Sequence, residues 1–138
     1  MAVRYSKQRN AIWNCIKDRK DHPTADTIYQ IVRKDQPKIS LGTVYRNLVL
    51  LRDMGQLTTV DVGDGLIHFD PNVGSHSHFV CSSCGNIIDI AEAPPEEYRR
   101  KMQKAFPGRI NSCEMLFRGV CLSCLQEQGV IPKSFLQQ

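Results

Sequence analysis

The chain has 138 residues, enough for one medium domain or two small ones. Hydrophobic residues make up 41% of it, which is enough for a buried core and argues against wholesale disorder. No apolar run approaches the ~20 residues of a membrane span, and the start of the chain lacks the apolar core of a signal peptide, so we expect a cytoplasmic protein with no membrane partner. Residues 1–55 contain 11 Lys and Arg against 5 acidic residues, whereas the rest of the chain contains 7 Lys and Arg against 9 acidic residues. The basic first half indicates either a nucleic-acid-binding module or an ordinary charged surface.

Apolar spacing and capping residues predict two helices at the start of the chain. The first begins at a Ser6 cap and runs to about Lys20. The second covers roughly Ala25–Lys34 and is opened by Pro23 and Thr24. The apolar residues expected to face the core are Ala11, Ile12, Cys15 and Ile16 of the first helix and Ile28, Ile31 and Val32 of the second.

A third helix and a hairpin follow a loop that contains Pro37. Ser40 is expected to cap this helix, which covers Leu41–Met54 and ends at Gly55. Its inward stripe consists of Val44, Leu48 and Leu51. Strand-like runs on either side of Gly63-Asp64-Gly65 predict a β-hairpin. Three helices followed by a hairpin is the order of a winged helix, in which the second and third helices form the helix-turn-helix.

The second half of the chain begins with a predicted linker at residues 70–75. Two strands around a C-x-x-C-G turn are expected in HFVCSSCGNIIDI. A helix should begin at Pro94-Pro95-Glu96-Glu97, where prolines and acids suit a helix start, and stop at Pro107-Gly108. A last strand is expected over Glu114–Val120, directly before the second C-x-x-C pair. The predicted fold class is therefore α+β.

Four of the six cysteines form two C-x-x-C pairs separated by 36 residues. Each pair can turn two thiolates toward one ion, and two pairs complete the tetrahedron of a structural zinc site with no open position. The alternative is a redox dithiol or two disulfides, although a redox motif needs only one pair. The predicted zinc ligands are Cys81, Cys84, Cys121 and Cys124. Cys15 is expected to be a buried thiol on an apolar helix face, and Cys113 is given no role.

Histidines and aspartates are concentrated around the predicted linker. His76-Ser77-His78 places two imidazoles on one side of an extended segment, because strand side chains alternate, and Asp70 precedes them while Asp89 follows. Such nitrogen and oxygen ligands suit Fe2+, Mn2+ or Zn2+. The pair indicates either a metal site or ordinary surface histidines, whereas a lone histidine such as His22 or His68 is more often a core or surface residue.

The start of the third helix, SLGTVYRN, carries polar residues outside its apolar stripe. A recognition helix contacts base edges with its N-terminal residues, and arginine is the commonest reader of guanine. The alternative is an ordinary amphipathic helix with a polar outer face. The residues predicted to contact DNA are Ser40, Gly42, Thr43, Tyr45, Arg46 and Asn47, together with Arg9 of the first helix.

Four segments, HPTADTIYQIVRK, SLGTVYRNLVLL, HSHFVCSSCG and GVCLSC, resemble the ferric uptake regulator (Fur) family in order and spacing. The resemblance covers nearly the whole chain, and its H-x-H-F-x-C-x-x-C-G element with a later C-x-x-C is highly specific. It implies a homodimeric repressor with an N-terminal winged helix in residues 1–70, a hinge in 71–75 and a C-terminal α/β dimerisation domain with a Zn(Cys)4 site in 76–138. It also implies binding to double-stranded DNA at an AT-rich inverted repeat when a regulatory metal is bound.

The resemblance further implies a regulatory ligand set and a branch of the family. The positions that match the family's regulatory Fe2+ or Mn2+ ligands are His22, Asp70, His76, His78 and Asp89. His68 remains a strand residue. At position 89 the chain resembles the peroxide-sensing branch, because it has aspartate where iron-uptake regulators usually have glutamate. At position 46, by contrast, the arginine in VYRNL resembles the iron-uptake branch. We therefore expect a sensor of hydrogen peroxide in which His22 or His76 is oxidised, with a sensor of iron or zinc level as the alternative.

Two further alternatives are a metalloenzyme that uses the His/Asp site and a zinc-ribbon adaptor that does not bind DNA. Five protein ligands leave little room for an activated water, because catalytic zinc typically has three, so an enzyme is not expected.

In the expected mechanism the metal joins the DNA-binding half, which supplies His22, to the dimerisation half. It thereby favours the conformer in which two recognition helices match two half-sites.

Overall fold

The computed structural model describes residues 6–130, and the ends of the two predicted domains, residues 1–5 and 131–138, lie outside the described residues. The chain forms two compact units that divide between Gly74 and Ser75. Within residues 6–130, every helix is too short or too polar to cross a membrane. Each unit has its own sheet, so the α+β fold class predicted from the sequence is confirmed.

Three helices begin the first unit: α1 (Lys7–Ile16), α2 (Ala25–Val32) and α3 (Leu41–Asp53). Each begins after a hydroxyl side chain that accepts a hydrogen bond from the backbone N–H three residues further on, and these caps are Ser6, Thr24 and Ser40. Gly55 follows α3 with a φ of 80°, a left-handed conformation that glycine adopts without a steric penalty. The predicted helix starts and the terminating glycine are confirmed.

All three helices end earlier than predicted, and α3 does so by a single residue, at Asp53 instead of Met54. α1 stops at Ile16 instead of near Lys20, because the four residues beyond it are polar and offer nothing to bury. α2 stops at Val32 instead of Lys34, where the chain tightens and the Lys34 N–H donates to the carbonyl of Ile31. Ile31 is only half-buried, so its side chain faces the core less than the sequence predicted.

A hairpin completes the first unit as a winged helix. Strands β1 (Thr58–Val60) and β2 (His68–Asp70) pair antiparallel, and Thr58 lies opposite Asp70. Residues 61–67, which we call the wing loop, connect them around the predicted Gly63-Asp64-Gly65 turn. The buried core of this unit consists of Ile12, Ile16, Ile28, Val32, Ile39, Val44, Leu48, Leu51, Leu57 and Phe69.

The second unit is built around a three-stranded sheet. Its elements are β3 (Ser77–Cys81), β4 (Ile87–Ile90), α4 (Glu96–Ala105), β5 (Leu116–Gly119) and α5 (Leu122–Glu127). The strand order is β4-β3-β5, with β3 antiparallel to β4 and parallel to β5. The strands around the first C-x-x-C pair, the helix that begins with Glu96 and Glu97, and the last strand were all predicted.

The short helix α5 was not predicted. Cys121 occupies its N-cap position and Cys124 lies in its first turn, so the second C-x-x-C pair is the junction between β5 and a helix. The first pair, by contrast, lies at the end of β3 and in the turn that follows. A strand end and a helix start therefore supply the two halves of the cysteine cluster.

Candidate metal centres and nucleic-acid interface

The four predicted zinc ligands meet within the second unit. The Sγ–Sγ distance is 3.8 Å between Cys81 and Cys124 and 3.8 Å between Cys84 and Cys121. All four sulfurs lie within 4.8 Å of one another. Zn–S bonds of about 2.3 Å in a tetrahedron place the sulfurs about 3.8 Å apart. The arrangement therefore fits a structural Zn(Cys)4 site, with all four positions filled by protein.

The backbone around Cys81 favours the thiolate that zinc binds. The N–H groups of Cys121, Cys84 and Ser83 lie 3.3, 3.4 and 3.4 Å from its Sγ. These hydrogen bonds, led by the one from Cys121, lower the pKa of Cys81 from 9.0 to about 6. The neighbouring thiol of Cys121 raises the pKa of Cys124, because closely packed sulfurs cannot all ionise without a cation between them.

The two remaining cysteines lie apart from this cluster. Cys15 is half-buried on α1 and packs at the margin of the first core, where burial raises the pKa of its thiol. Cys113 is exposed in the segment before β5. Cys15 was predicted to be a buried core thiol; it packs against the core but is only half-buried.

In the first unit, His22 and Asp70 form a buried pair. Their Nε2 and Oδ2 atoms are 3.3 Å apart, and the two residues are only 2% and 1% exposed. Asp70 is the last residue of β2, and its Oδ1 accepts a hydrogen bond of 2.9 Å from the Asn72 N–H. His22 has a φ of 53°, a left-handed conformation that is sterically costly for any residue with a Cβ.

In the second unit, His76, His78 and Asp89 converge. His78 on β3 lies directly opposite Asp89 on β4, and the Nε2 atoms of His76 and His78 are 3.1 and 3.2 Å from Asp89 Oδ1. The two Nε2 atoms are themselves 3.0 Å apart. Neighbouring ligands of one ion bound at about 2.1 Å are separated by about 3 Å, so these three atoms have the spacing of a partial coordination shell. The histidine and carboxylate chemistry suits Fe2+ or Mn2+.

The start of α3 presents an organised polar surface. The Ser40 hydroxyl and Arg46 Nη2 donate to Thr43 Oγ1 at 3.0 and 3.1 Å. Tyr45 and Arg46 are exposed, whereas Asn47 is half-buried and its side chain donates to the Thr43 carbonyl at 2.9 Å. These side chains can contact base edges or phosphates without reorganising the helix.

Gly42 and Arg9 are two other residues predicted to contact DNA. A Cβ at Gly42 would lie 3.2 Å from Arg46 Nη1, so the missing side chain gives the guanidinium room over the helix start. Arg9 is half-buried on α1, and its backbone N–H donates to the Ser6 cap at 3.2 Å.

His68 is a strand residue, as predicted, but its two hydrogen bonds were not predicted from the sequence. Its Nδ1 lies 2.9 Å from the carbonyl oxygen of His22, and its Nε2 lies 2.7 Å from Asp64 Oδ2 in the wing loop. The hydrogen bond between His68 Nε2 and the Asp64 carboxyl lowers the pKa of that carboxyl. The available signal was strand alternation, which places His68 on the same face of β2 as Asp70.

Comparison with known proteins gives consistent results. The sequence model of the ferric uptake regulator family matches residues 1–118. The peroxide-responsive repressor PerR of Staphylococcus aureus is 36% identical over 122 residues, which is 88% of this chain and 82% of that protein. The solved peroxide stress regulator of Campylobacter jejuni is 29% identical with a TM-score of 0.66, over 83% of this chain and 85% of that one. The Helicobacter pylori ferric uptake regulator, at 22% identity and a TM-score of 0.73 over 88% and 82% of the chains, is similar in fold.

Proposed function

The chain belongs to the ferric uptake regulator family, and we propose that within this family it is a repressor that senses hydrogen peroxide. Regulators of this family bind DNA, act as dimers and are not enzymes, so the protein is a metal-dependent transcriptional repressor. We propose that the repressor acts in the cytoplasm.

The proposed regulatory metal is Fe2+ or Mn2+, bound by residues from both units. Support comes from the two groups of nitrogen and oxygen atoms described above, each assembled within its own unit at separations of 3.0 to 3.3 Å. We propose residues 1–70 as the DNA-binding domain, 71–75 as the hinge and 76–138 as the dimerisation domain. The proposed ligands are His22, Asp70, His76, His78 and Asp89.

A metal held by ligands from both domains restricts their relative orientation. In a dimer this orientation sets the distance between the two α3 helices, which must match two half-sites on the duplex. Shifting the protein from 1% to 99% of the binding-competent conformer requires about 5.5 kcal/mol of differential metal binding. Several charged and imidazole ligands acting together can supply a free energy of this size.

The proposal of peroxide sensing is supported by Asp89, the carboxylate whose Oδ1 lies 3.1 and 3.2 Å from the Nε2 atoms of His76 and His78. When held by these residues, Fe2+ would supply the reaction with hydrogen peroxide. One oxygen atom is added to a ring carbon of His22 or His76 and the other leaves as water, so that a damaged ligand releases the hinge. The zinc thiolates are a competing target, but coordination of all four sulfurs should slow their oxidation.

We expect Fe2+-loaded protein to gain one oxygen on His22 or His76 when treated anaerobically with a slight excess of hydrogen peroxide, and to lose operator binding in parallel. Peptide mass spectrometry locates the added oxygen. The Mn2+-loaded protein is the matched control and should keep its histidines unmodified. If oxidation is confined to cysteines, or if operator binding survives, the protein is instead a sensor of iron or zinc level, the function that Arg46 favours.

The proposed operator is an AT-rich inverted repeat, read by the two α3 helices of a homodimer. A two-fold dimer and a two-fold operator share the same symmetry, so one protomer reads each half-site. We propose that dimerisation uses the second unit. Among the described residues, its helix α4 has no buried side chain and exposes Tyr98 and Met102, and Phe106, directly after the helix, is exposed as well.

We expect Arg46→Ala to weaken operator binding by about 1–3 kcal/mol and to relax discrimination at one base pair if the guanidinium makes a bidentate base contact. A phosphate contact would instead weaken binding to all sequences alike and reduce the salt slope by about one. Fluorescence anisotropy on matched and single-mismatch duplexes separates the two results. Arg52→Ala, in the last turn of the same helix, is the control. Unchanged affinity and discrimination for Arg46→Ala would show that this face of α3 does not read DNA.

A further inference from the structure

Three successive residues of β2 are bonded to the dipeptide His22-Pro23. His68 Nδ1 lies 2.9 Å from the carbonyl oxygen of His22, and the Phe69 N–H donates to the carbonyl of Pro23 at 2.9 Å. Asp70 Oδ2 lies 3.3 Å from His22 Nε2. The strand therefore holds both the backbone and the ring of His22.

This contact acts on a residue whose backbone needs support. His22 has a φ of 53°, and a non-glycine residue keeps a left-handed conformation only when its surroundings over-determine it. Its carbonyl is one of the groups that define this conformation, and His68 bonds directly to it. The bond to the carbonyl thus helps to fix the direction in which the His22 ring leaves the chain.

The other side of the His68 ring reaches the wing loop. Its Nε2 lies 2.7 Å from Asp64 Oδ2, while Asp64 Oδ1 accepts a hydrogen bond of 3.0 Å from the Leu66 N–H. The His22 carbonyl can only accept, so His68 Nδ1 donates to it, while Nε2 makes the hydrogen bond to the Asp64 carboxyl. The side chain of His68 is 12% exposed, and it forms a largely buried link between the loop and His22.

We propose that His68 is a positioning residue that couples the wing loop to the regulatory metal through the backbone of His22. The inference rests on the proposed role of His22 as a ligand. A metal that fixes the His22 ring also fixes its carbonyl, and the carbonyl holds His68 and Asp64 in place. Because such coupling is reciprocal, a shift of the wing loop on DNA changes the affinity for the metal.

The alternative is that His68 only fills space beside the core. A space-filling residue can be replaced by another ring of similar size without changing metal affinity or the exposure of the wing loop. The coupling instead requires the two hydrogen bonds of the ring. His68→Phe keeps the ring and removes both hydrogen bonds, whereas His68→Arg keeps several donors on a longer side chain.

The test uses the full-length zinc-loaded protein without DNA. Free Mn2+ is measured by electron paramagnetic resonance, and amide exchange of residues 61–67 is followed by mass spectrometry with and without Mn2+. In the wild type, Mn2+ should slow exchange in the wing loop. His68→Phe should lower Mn2+ affinity about tenfold, the lower range for residues that orient a metal ligand, and abolish this protection. His68→Arg should restore most of both.

Variants of two loop carboxylates provide the matched comparison. Asp64→Ala removes the partner of His68 from an exposed position and should lose the Mn2+-dependent protection. Combined with His68→Phe, it should cause no further loss of Mn2+ affinity, because both changes interrupt one chain of contacts. Asp61→Ala is the control, since Asp61 accepts a hydrogen bond from the Gly63 N–H at 2.8 Å in the same loop. Its Mn2+ affinity should match that of the wild type.

Wild-type Mn2+ affinity and loop protection in His68→Phe would overturn the coupling while leaving the proposed function intact. If His68→Phe fails to fold, Asp64→Ala decides the question, because unchanged loop protection in that variant also contradicts the coupling. Failure of the wild type itself to bind Mn2+ would remove the proposed function and the coupling together.

Discussion

Cys81→Ser protein is expected to lose its zinc and the native fold of its second unit. Wild-type protein should contain about one zinc per chain that survives mild chelation. Structural zinc contributes about 10–16 kcal/mol of folding free energy in zinc-finger peptides at pH 7, and a site with three thiolates loses much of that contribution. Cys81 is 1% exposed and its sulfur accepts three backbone N–H hydrogen bonds at 3.3 to 3.4 Å, which a smaller serine oxygen on a shorter bond meets less well.

Elemental analysis and thermal unfolding test this expectation. Cys124→Ser, in the second C-x-x-C pair, should behave in the same way, because either change leaves an incomplete tetrahedron. Cys113→Ser is the matched control, since this exposed cysteine lies outside the cluster and its loss should change neither zinc content nor stability. Full zinc content and a native dimer in both cluster variants would show that the four thiolates do not hold a structural zinc.

The second large effect is expected for His22→Ala, which should keep zinc, fold and dimer but lose metal-stimulated DNA binding. The first unit supplies two of the proposed ligands, His22 and Asp70, so removing the imidazole of His22 leaves a single carboxylate to join that unit to the metal. The loss should equal the metal-dependent gain of the wild type, which for coupled sites is typically about 5- to 150-fold in affinity.

The backbone of His22 makes a companion variant necessary. A φ of 53° strains alanine as well as histidine, so His22→Ala could weaken the first unit for reasons unrelated to the metal. His22→Asn avoids this problem, because asparagine tolerates the left-handed conformation while lacking the imidazole. Both variants should lose the Mn2+ response in fluorescence anisotropy. Normal Mn2+-dependent affinity in His22→Asn would contradict the role of His22 as a regulatory ligand.

The parts of the fold that could be predicted from the sequence depend on local signals. Ser6 and Ser40 mark helix starts and Gly55 marks a helix end, because capping involves residues within one turn. The cysteine cluster was also predictable, since two C-x-x-C pairs carry metal-ligand geometry in their spacing. The boundaries of α1 and α2 were less accurate, because polar residues past the last buried position do not reveal where the hydrogen-bond ladder stops.

Features that depend on contacts distant in sequence were missed. The six-residue helix α5 is too short for a periodic apolar pattern, and the parallel pairing of β5 with β3 joins strands that lie far apart in the chain. The contact between His68 and the carbonyl of His22 spans 46 residues. Nothing near either histidine in the sequence indicates it. The left-handed φ of His22 was equally hidden, because few residues other than glycine adopt this conformation and no turn motif at His22 marks it.

The most direct measurement is the affinity of the zinc-loaded wild-type dimer for DNA with and without Mn2+. Duplexes are first selected from a random pool in the presence of Mn2+, and the best of them is titrated by fluorescence anisotropy at one fixed salt concentration, because phosphate contacts make affinity salt-dependent. A metal-dependent repressor should select an inverted repeat and bind it about 5- to 150-fold more tightly with Mn2+. Equal affinity with and without the metal, or no sequence selected from the pool, would contradict a metal-dependent, sequence-specific DNA-binding function.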